Sequence, residues 1–253
     1  MRRIGAVLLS GGLDSATVAS YAKAAGHELV ALTFNYGQRH RRELEAAKRV
    51  AGILELQHEV VDLPVMKKLS WYSALTAGVL DVPKDRTIED LTKDIPATYV
   101  PMRNTVFLTL AAALLESRVL SLIEDGQIDP EEISASVFIA ANAVDYSGYP
   151  DCRPEYFKAM RQALLEGSKL GKQYGVSIDI ETPLLHMTKV EIVKLGIELG
   201  APLEHTWSCY EGGDLPCGAC DSCLLRAKGF AGAGVKDPLL ERLRREGKIA
   251  EGE

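Results

Sequence analysis

The chain has 253 residues, 47% of them hydrophobic, and a formal charge of −6 at pH 7. This composition suits an ordinary soluble globular protein, and the acidic balance argues against a surface built mainly to neutralise nucleic-acid phosphates. No apolar run reaches the ~20 residues of a membrane span, and the N-terminal apolar stretch ends in glycines rather than in a cleavage site. We therefore expect a cytoplasmic protein with no direct nucleic-acid partner and no membrane partner.

Strand-like and helix-like segments alternate along the first part of the chain. The hydrophobic spacing predicts strands over 4–9, 29–34 and 58–63 and helices over 15–25 and 41–54. Strands that alternate with helices predict a parallel sheet covered on both faces. Prolines break any long element between residues 65 and 102, and a mobile segment or a lid is compatible with that stretch.

The second part of the chain continues the alternation. Helices are predicted over 104–117 and 155–170 and strands over 135–142 and 176–185. Thr188 and Glu191 then have the spacing of a capping box that starts another helix. The expected fold class is α/β, a doubly wound parallel sheet, with a cysteine-rich stretch near the C-terminus.

The first predicted strand runs into the turn Leu9-Ser10-Gly11-Gly12-Leu13-Asp14-Ser15 and then into a helix. A glycine-rich turn at this place exposes backbone N–H groups at the positive end of a helix, which is a ready anion site. Ser10 and Ser15 add hydroxyl donors, and Asp14 can hold a metal ion that accompanies phosphates. The turn is neither a Walker A loop nor G-x-G-x-x-G. The alternative is a tight connection in which Ser10 or Asp14 only caps the helix.

Three further segments carry side chains suited to ligand binding. TFNYGQRH, at 33–40, follows the second strand, where open α/β sheets bind ligands. TYVPMRN, at 98–104, contains Arg103, whose planar fork can pair with a carboxylate or a phosphate. ANAVDYSGYPDCRPEY, at 141–156, is a turn-rich loop whose tyrosines can stack on a flat heterocycle while its aspartates accept from a guanine-like edge. Taken alone, each segment also fits a plain surface turn.

Four of the five cysteines have the spacing C-x7-C-x2-C-x2-C, namely Cys209, Cys217, Cys220 and Cys223. Four thiolates suit a tetrahedral zinc ion, and a full set of four leaves no open position for catalysis. The same ligands would also suit an iron–sulfur cluster. We predict a closed structural zinc site. Cys152, which stands alone, is either a packed thiol or one that contacts substrate.

The motifs together resemble a known family. SGGLDS resembles the pyrophosphate-binding signature of the PP-loop ATP pyrophosphatases, which split ATP into AMP and pyrophosphate to activate a substrate oxygen. Within that group, YGQRH, YVPMRN and the loop at 141–156 resemble the 7-cyano-7-deazaguanine synthases of the QueC family, from about residue 4 to about residue 229. Two features depart from the pattern: Met102 stands where the family usually has glycine, and the stretch at 117–132 is longer than the expected connection.

The resemblance implies a fold and a reaction. The fold is the HUP-type (adenine-nucleotide α-hydrolase-like) sheet, with a PP-loop domain over 1–200 and a zinc-binding, helical segment over 201–253 packed on it. The reaction is an ATP-dependent ligation of ammonia to 7-carboxy-7-deazaguanine that yields 7-cyano-7-deazaguanine, a precursor of queuosine or archaeosine. ATP, Mg²⁺ and Zn²⁺ are the implied cofactors, and a homodimer is the implied assembly. Free ammonium is the expected nitrogen donor, because no stretch of the chain is left for a glutaminase domain.

The resemblance also assigns roles to residues. The implied catalytic residues are Asp14, Lys189 and Arg103. The implied ATP-binding residues are Leu9, Ser10, Gly11, Gly12, Leu13, Asp14, Ser15, Ala16, Thr17, Val18, Tyr36, Gln38 and Lys189. The implied substrate-binding residues are Arg103, Asn104, Asp145, Tyr146, Tyr149, Asp151 and Arg153. The implied metal ligands are Cys209, Cys217, Cys220 and Cys223.

Two other functions fit parts of the sequence. A PP-loop tRNA thiolase would need cysteines free to carry sulfur and a basic face for tRNA, whereas the predicted zinc site uses four of the five cysteines and the net charge is negative. A zinc-stabilised nucleotide- or RNA-binding module without turnover would bind ATP but release no AMP, and its RNA affinity would depend strongly on salt.

Overall fold

A parallel β-sheet is the centre of the computed structural model, which describes residues 1–37, 41–76, 80–85, 95–143 and 149–250. Within these ranges the sheet has five strands. In chain order they are β1 (Arg2–Leu8), β2 (Glu28–Asn35), β3 (Gln57–Asp62), β4 (Ile133–Phe138) and β5 (Ile178–Glu181). The predicted doubly wound α/β class is confirmed.

Helices cover both faces of this sheet. The described residues contain α1 (Leu13–Ala24), α2 (Arg41–Ile53), α3 (Pro64–Leu69), α4 (Arg103–Glu124), α5 (Pro154–Gly167), α6 (Lys169–Tyr174), α7 (Lys189–Glu198), α8 (Asp221–Ala233) and α9 (Pro238–Arg245). Short 3₁₀ turns lie at Pro130–Glu132, Pro150–Cys152 and Leu203–His205. The predicted capping box is confirmed at the start of α7, where Thr188 and Glu191 satisfy each other's backbone N–H groups.

The strand order is β3-β2-β1-β4-β5. The chain fills one side of β1 with β2 and β3 and then crosses to the other side for β4 and β5, so the winding reverses between β1 and β4. In open parallel sheets, ligands bind at the carboxyl ends of the strands beside such a reversal. The fold therefore predicts a site where β1 and β4 end.

Alternate residues of β1 serve two hydrophobic layers, as the two-residue period of a strand requires. Ile4, Ala6 and Leu8 belong to the layer that packs against α4, whereas Val7 belongs to the layer of α1, α2 and α7. The central helix α4 is long and apolar enough to cross a membrane by length and composition alone. Leu108 and Leu115 are fully buried against the sheet, and Phe107 and Leu114 are partly buried in the same layer, so the helix packs on the core of this fold.

Several predicted boundaries differ from those of the structure. The helix predicted over 155–170 is two helices, because Ser168 has extended dihedral angles and its hydroxyl caps α6 by accepting from the Gly171 N–H. The strand predicted over 176–185 stops at Glu181, and a turn follows. The helix predicted over 104–117 continues to Glu124, which accounts for the extra length of the connection at 117–132.

Met102 precedes α4 in a left-handed conformation, with φ 59° and ψ 12°, and its side chain is 58% exposed. A residue with a Cβ is strained by about 1–2 kcal/mol in this region, whereas glycine is not. This geometry explains why glycine suits the position. We expect Met102→Gly to raise the free energy of unfolding by about 0.5–1 kcal/mol, because relief of strain outweighs the added freedom of the unfolded chain.

Chemical denaturation of the two proteins measures this difference. Met102→Ala is the matched control, because alanine keeps the Cβ and should bring no stabilisation. Equal gains in both variants would show that loss of the exposed methionine chain, and not backbone relief, is responsible.

Candidate active site

A cavity of about 290 Å³ opens at the carboxyl ends of β1, β2 and β4. Leu8, Phe34 and Ile139 form its floor at or just beyond the strand ends. The turn after β1 forms one wall, and the start of α4 with Tyr149 and Cys152 forms another. The cavity therefore lies at the crevice that the strand order predicts.

The turn after β1 lies at the cavity, at the N-terminus of α1, and its Gly12 N–H donates to Ser10 Oγ at 3.3 Å. Gly12 occupies the N-cap of α1 and receives no side-chain cap, so the alternative in which Ser10 or Asp14 caps the helix is wrong. The Ser10 and Ser15 hydroxyls lie 3.0 Å apart, and Ser15 Oγ donates to the Gly12 carbonyl at 3.1 Å. The first N–H groups of a helix have no helical acceptor and carry partial positive charge. The turn is therefore chemically suited to bind an anion.

Gly11 is fixed in this turn by two requirements. Its φ of +88° is unfavourable for residues with a Cβ, and a Cβ there would lie 2.3 Å from the Glu43 carbonyl oxygen and 2.6 Å from the Ala47 nitrogen. The close approach seats the turn against the first turns of α2. A glycine is the one residue type that fits both constraints.

Lys189 reaches the same wall from the first position of α7. Its Nζ lies 2.9 Å from Oδ1 and 2.7 Å from Oδ2 of Asp14, and its residue is 9% exposed. The side chain crosses from one helix N-terminus to the other, with its stem packed where Gly229 leaves room on α8. A buried ammonium and a carboxylate thus meet at the anion site.

Arg103 is the cation of the wall that the start of α4 forms. Its guanidinium hydrogen-bonds Tyr36 and interacts electrostatically with Tyr149 and Asp151. Burial disfavours its charge, but these three groups outweigh burial and raise the pKa of Arg103 above its usual value. A permanently charged guanidinium at the edge of a cavity suits a planar anion such as a carboxylate.

Asn104 connects this wall to the Tyr149–Cys152 segment. Its Nδ2 donates to the Asp151 carbonyl oxygen at 3.3 Å and contacts Cys152 Sγ at 3.5 Å, and its backbone N–H lies 3.4 Å from Asp151 Oδ2. Tyr149 is held from the other side by a 2.9 Å hydrogen bond between its hydroxyl and Thr98 Oγ1. Two segments far apart in sequence therefore form one wall.

Burial keeps two groups of this wall uncharged at neutral pH. It raises the pKa of Tyr149 to about 12, against a lowering effect of Arg103. It also raises the pKa of Cys152 to about 12, reinforced by the negative charge of Asp151. The Cys152 thiol is buried in the wall of the cavity, and the raised pKa disfavours the thiolate, which is the reactive form of cysteine.

A family model described as queuosine biosynthesis protein QueC matches residues 5–234. The chain belongs to the QueC family. Curated relatives match over nearly the full length. The 7-cyano-7-deazaguanine synthase of Thermoplasma acidophilum is 48% identical and covers 94% of this chain and 92% of that protein. The one of Desulfatibacillum aliphaticivorans is 50% identical and covers 92% of this chain and 94% of that protein.

Most residues that the sequence predicted for the QueC site line the cavity or support it. Ser10, Gly12, Leu13, Asp14, Ser15, Tyr36, Arg103, Asn104, Tyr149 and Lys189 line the cavity. Gly11 seats the turn, and Asp151 lies buried behind Arg103 and Asn104. Gln38, Asp145 and Tyr146 fall outside the residues that the structure describes.

Five predicted residues of the QueC site lie elsewhere. Leu9, Ala16, Thr17 and Val18 are at most 1% exposed and pack inside the core, because they are the continuation of β1 and the inner face of α1. Arg153 is exposed and precedes α5, and it does not line the cavity. The side chains of these five residues do not line the cavity, and their predicted roles in binding stay predictions.

The structure adds residues that the motifs did not indicate. Glu43 of α2, Phe107 of α4 and Trp207 line the cavity, and Asn142 Nδ2 donates to the Leu184 carbonyl at 3.0 Å and so holds the turn that leads to Lys189. Glu43 belongs to the charged run RHRRE, which resembles a solvated helix face in the sequence. Its position three residues after YGQRH was the available signal.

The four clustered cysteines form a compact ligand set. The sulfur atoms of Cys209, Cys217, Cys220 and Cys223 all lie within 4.8 Å of one another. Backbone N–H groups of Cys217 and Cys220 point at the sulfurs of Cys209 and Cys217 at 3.3 Å, as in metal–thiolate sites. Tetrahedral Zn–S bonds of 2.3 Å would place the sulfurs about 3.8 Å apart, so the set fits one metal ion.

The cysteine segment touches the anion-binding turn directly. The Trp207 backbone N–H donates to the Gly11 carbonyl at 2.8 Å. The buried guanidinium of Arg226 holds this segment by donating to Thr206 Oγ1 at 2.9 Å and to Ser208 Oγ at 3.2 Å. It also pairs with Asp237 through two hydrogen bonds. The C-terminal segment is therefore part of the support of the cavity.

Proposed function

We propose that this cavity converts 7-carboxy-7-deazaguanine and ammonia into 7-cyano-7-deazaguanine at the expense of ATP. One observation carries the proposal: a helix N-terminus suited to anions, a Lys–Asp pair and the guanidinium of Arg103 all line a single cavity. Triphosphate and carboxylate would thus bind in the same cavity. Membership of the QueC family, whose curated relatives bear this synthase name, supports the same conclusion.

On the ATP side, the turn and Lys189 supply charge stabilisation. The N–H groups of α1 and the Ser10 and Ser15 hydroxyls are donors for phosphate oxygens, and Lys189 neutralises charge that develops on departing pyrophosphate. Asp14 is the residue placed to hold Mg²⁺, which would neutralise phosphate charge during transfer. For both cations to act, the Asp14–Lys189 pair must open when nucleotide binds.

On the substrate side, Arg103 is placed to bind the carboxylate, because its charge is fixed by its surroundings and its fork matches two carboxylate oxygens. Tyr36, Phe107 and Tyr149 offer flat apolar faces for the heterocycle. Asn104 is held in place by the Asp151–Cys152 backbone and completes this wall.

The chemistry then proceeds by two activations. Attack of the carboxylate oxygen on the α-phosphate of ATP releases pyrophosphate and leaves an adenylate, and ammonia displaces AMP to give the amide. A second ATP activates the amide oxygen in the same way, and loss of AMP leaves the nitrile. AMP is a good leaving group and carboxylate oxygen is not, which is why each step needs ATP. The protein contributes orientation and charge stabilisation.

Zinc is the proposed occupant of the four-cysteine set, with a structural role. A complete set of four thiolates leaves no open position for substrate. The proposed organisation is a PP-loop domain over 1–200 and a zinc-binding segment over 201–253, and the contact of Trp207 with Gly11 supports close packing of the two.

The homodimer and the cytoplasmic location stay predictions. Exposed aromatic and aliphatic side chains near α3 are compatible with a subunit interface, since Leu69, Trp71 and Tyr72 are 70%, 57% and 65% exposed. The absence of a nucleic-acid partner also stays a prediction and follows from the net charge of −6.

The proposed function is tested by the product. Purified protein is incubated with magnesium ATP, ammonium and 7-carboxy-7-deazaguanine, and the product mass and AMP are followed together. A nitrile that forms with ammonium as the sole nitrogen source supports the proposal. AMP release without nitrile would move the substrate towards tRNA, and ATP binding without AMP would favour the non-catalytic module.

A further inference from the structure

Glu43 is a carboxylate of the cavity wall with no hydrogen bond or ion pair among the described residues. Of the described residues, Asp14 and Glu43 are the carboxylates that line the cavity, and Asp14 is paired with Lys189. Glu43 forms no hydrogen bond or ion pair with any part of the chain that the structure describes. The nearby guanidinium of Arg103 is shared with Asp151 and the two tyrosines. Arg103 is therefore the cation that acts on Glu43 within the described residues, and its charge is divided among several partners.

The backbone fixes Glu43 between the two halves of the site. It lies in the first turn of α2, and its carbonyl oxygen packs against Gly11 so closely that a Cβ there would lie 2.3 Å away. Its carboxylate interacts electrostatically with Arg103, the residue placed to bind the substrate carboxylate. Glu43 thus borders the point where the activated carboxyl carbon would sit.

A carboxylate without an ion-pair partner at this point lowers stability and repels both anionic substrates, ATP and 7-carboxy-7-deazaguanine. Taking such a charge out of water costs several kcal/mol unless a cation or a proton compensates it. Burial raises the pKa of Glu43, against the lowering effect of Arg103. A carboxylate with a raised pKa is suited to a ligand that brings both a positive charge and a proton.

Ammonium is such a ligand, and it is the third reactant of the proposed function. We propose that Glu43 binds the ammonium ion beside the adenylate and accepts the proton that it must lose. This inference rests on the proposed function, because it assigns the nitrogen donor to a subsite of the same cavity. The negative charge that is unfavourable for ATP and carboxylate is favourable for this reactant.

The proton and electron balance of the step is complete. Ammonium has no lone pair, so one N–H proton passes to a Glu43 carboxylate oxygen and leaves ammonia. The nitrogen lone pair forms the C–N bond at the adenylate carbon, and the C–O bond to AMP breaks with its electron pair on AMP. The surplus proton on the new amide nitrogen passes to water.

Glu43→Gln tests the assignment, because glutamine keeps the size of the side chain but has no charge and no basic oxygen. We expect ammonium-dependent product formation to fall about 100-fold, with a raised KM for ammonium. Hydroxylamine is uncharged at neutral pH and carries a free lone pair, so it needs no carboxylate to react. Hydroxamate formation from hydroxylamine should stay at the wild-type level in the variant, which also shows that folding and adenylation are intact.

Glu45→Gln is the matched control, since Glu45 lies on the same helix with an exposed side chain and should leave both reactions unchanged. Glu43→Asp keeps the charge and should retain more ammonium-dependent activity than Glu43→Gln. Equal losses with ammonium and hydroxylamine would overturn the assignment and point to heterocycle binding. Absence of any ammonium-dependent product from the wild-type protein would overturn the proposed function as well.

Discussion

Asp14→Asn is expected to abolish pyrophosphate release, with turnover reduced by about 10³-fold or more. The substitution removes the carboxylate placed to hold Mg²⁺ and leaves Lys189 without its ionic partner at 2.7 Å. The phosphates of ATP would then lie beside the Lys189 side-chain cation, but no carboxylate would be present to hold Mg²⁺. Coupled detection of pyrophosphate measures the effect, and retained turnover would contradict the role of Asp14.

Stability must be separated from chemistry in that experiment. Removal of one partner from a buried ion pair can cost about 3–5 kcal/mol, because the other charge stays buried. The side chains of Lys189 and Asp14 are 11% and 29% exposed, so we expect a smaller loss. Asp125→Asn, at an exposed carboxylate after α4, is the control and should change neither turnover nor the melting temperature.

Cys220→Ser is expected to remove the bound metal and to lower the melting temperature by about 10 °C, which corresponds to about 3 kcal/mol for a chain of this size. Cys220 is fully buried within the cysteine cluster, so no nearby group can replace its sulfur. Because Trp207 joins this segment to Gly11, ATP affinity should also fall. Metal content per chain, thermal melting and ATP titration measure the three effects.

Cys152→Ser is the control for the metal experiment. Cys152 is a buried cysteine that lies outside the cluster, so its replacement should leave the metal content unchanged. Cys217→Ser, at the exposed member of the set, should reduce stability less than Cys220→Ser. A full metal complement in Cys220→Ser, or a wild-type protein without metal, would contradict the four-cysteine site.

Local rules in the sequence were sufficient for the fold and for the position of the turn after β1 at the cavity. The alternation of β-type and helix-type segments predicted a parallel sheet, and the glycine-rich turn after a buried strand predicted an anion site at a helix N-terminus. Both features are made by neighbouring residues. The capping box of Thr188 and Glu191 is local in the same sense and was predicted correctly.

Features that depend on approach of distant segments were not predictable. Nothing in RHRRE shows that Glu43 faces a cavity, because its burial comes from contact of α2 with the turn at Gly11. Likewise Trp207 enters the site through its hydrogen bond with Gly11. The break at Ser168 was missed because a serine in a helical pattern is compatible with both continuation and a new N-cap.

The stoichiometry of AMP and pyrophosphate per nitrile tests the central claim most directly. If one cavity activates first the carboxylate and then the amide oxygen, each nitrile should be accompanied by two AMP and two pyrophosphate molecules. A single-turnover experiment with enzyme in excess over 7-carboxy-7-deazaguanine gives this ratio, and the amide should appear before the nitrile. One AMP per nitrile, or ADP in place of AMP, would contradict the account.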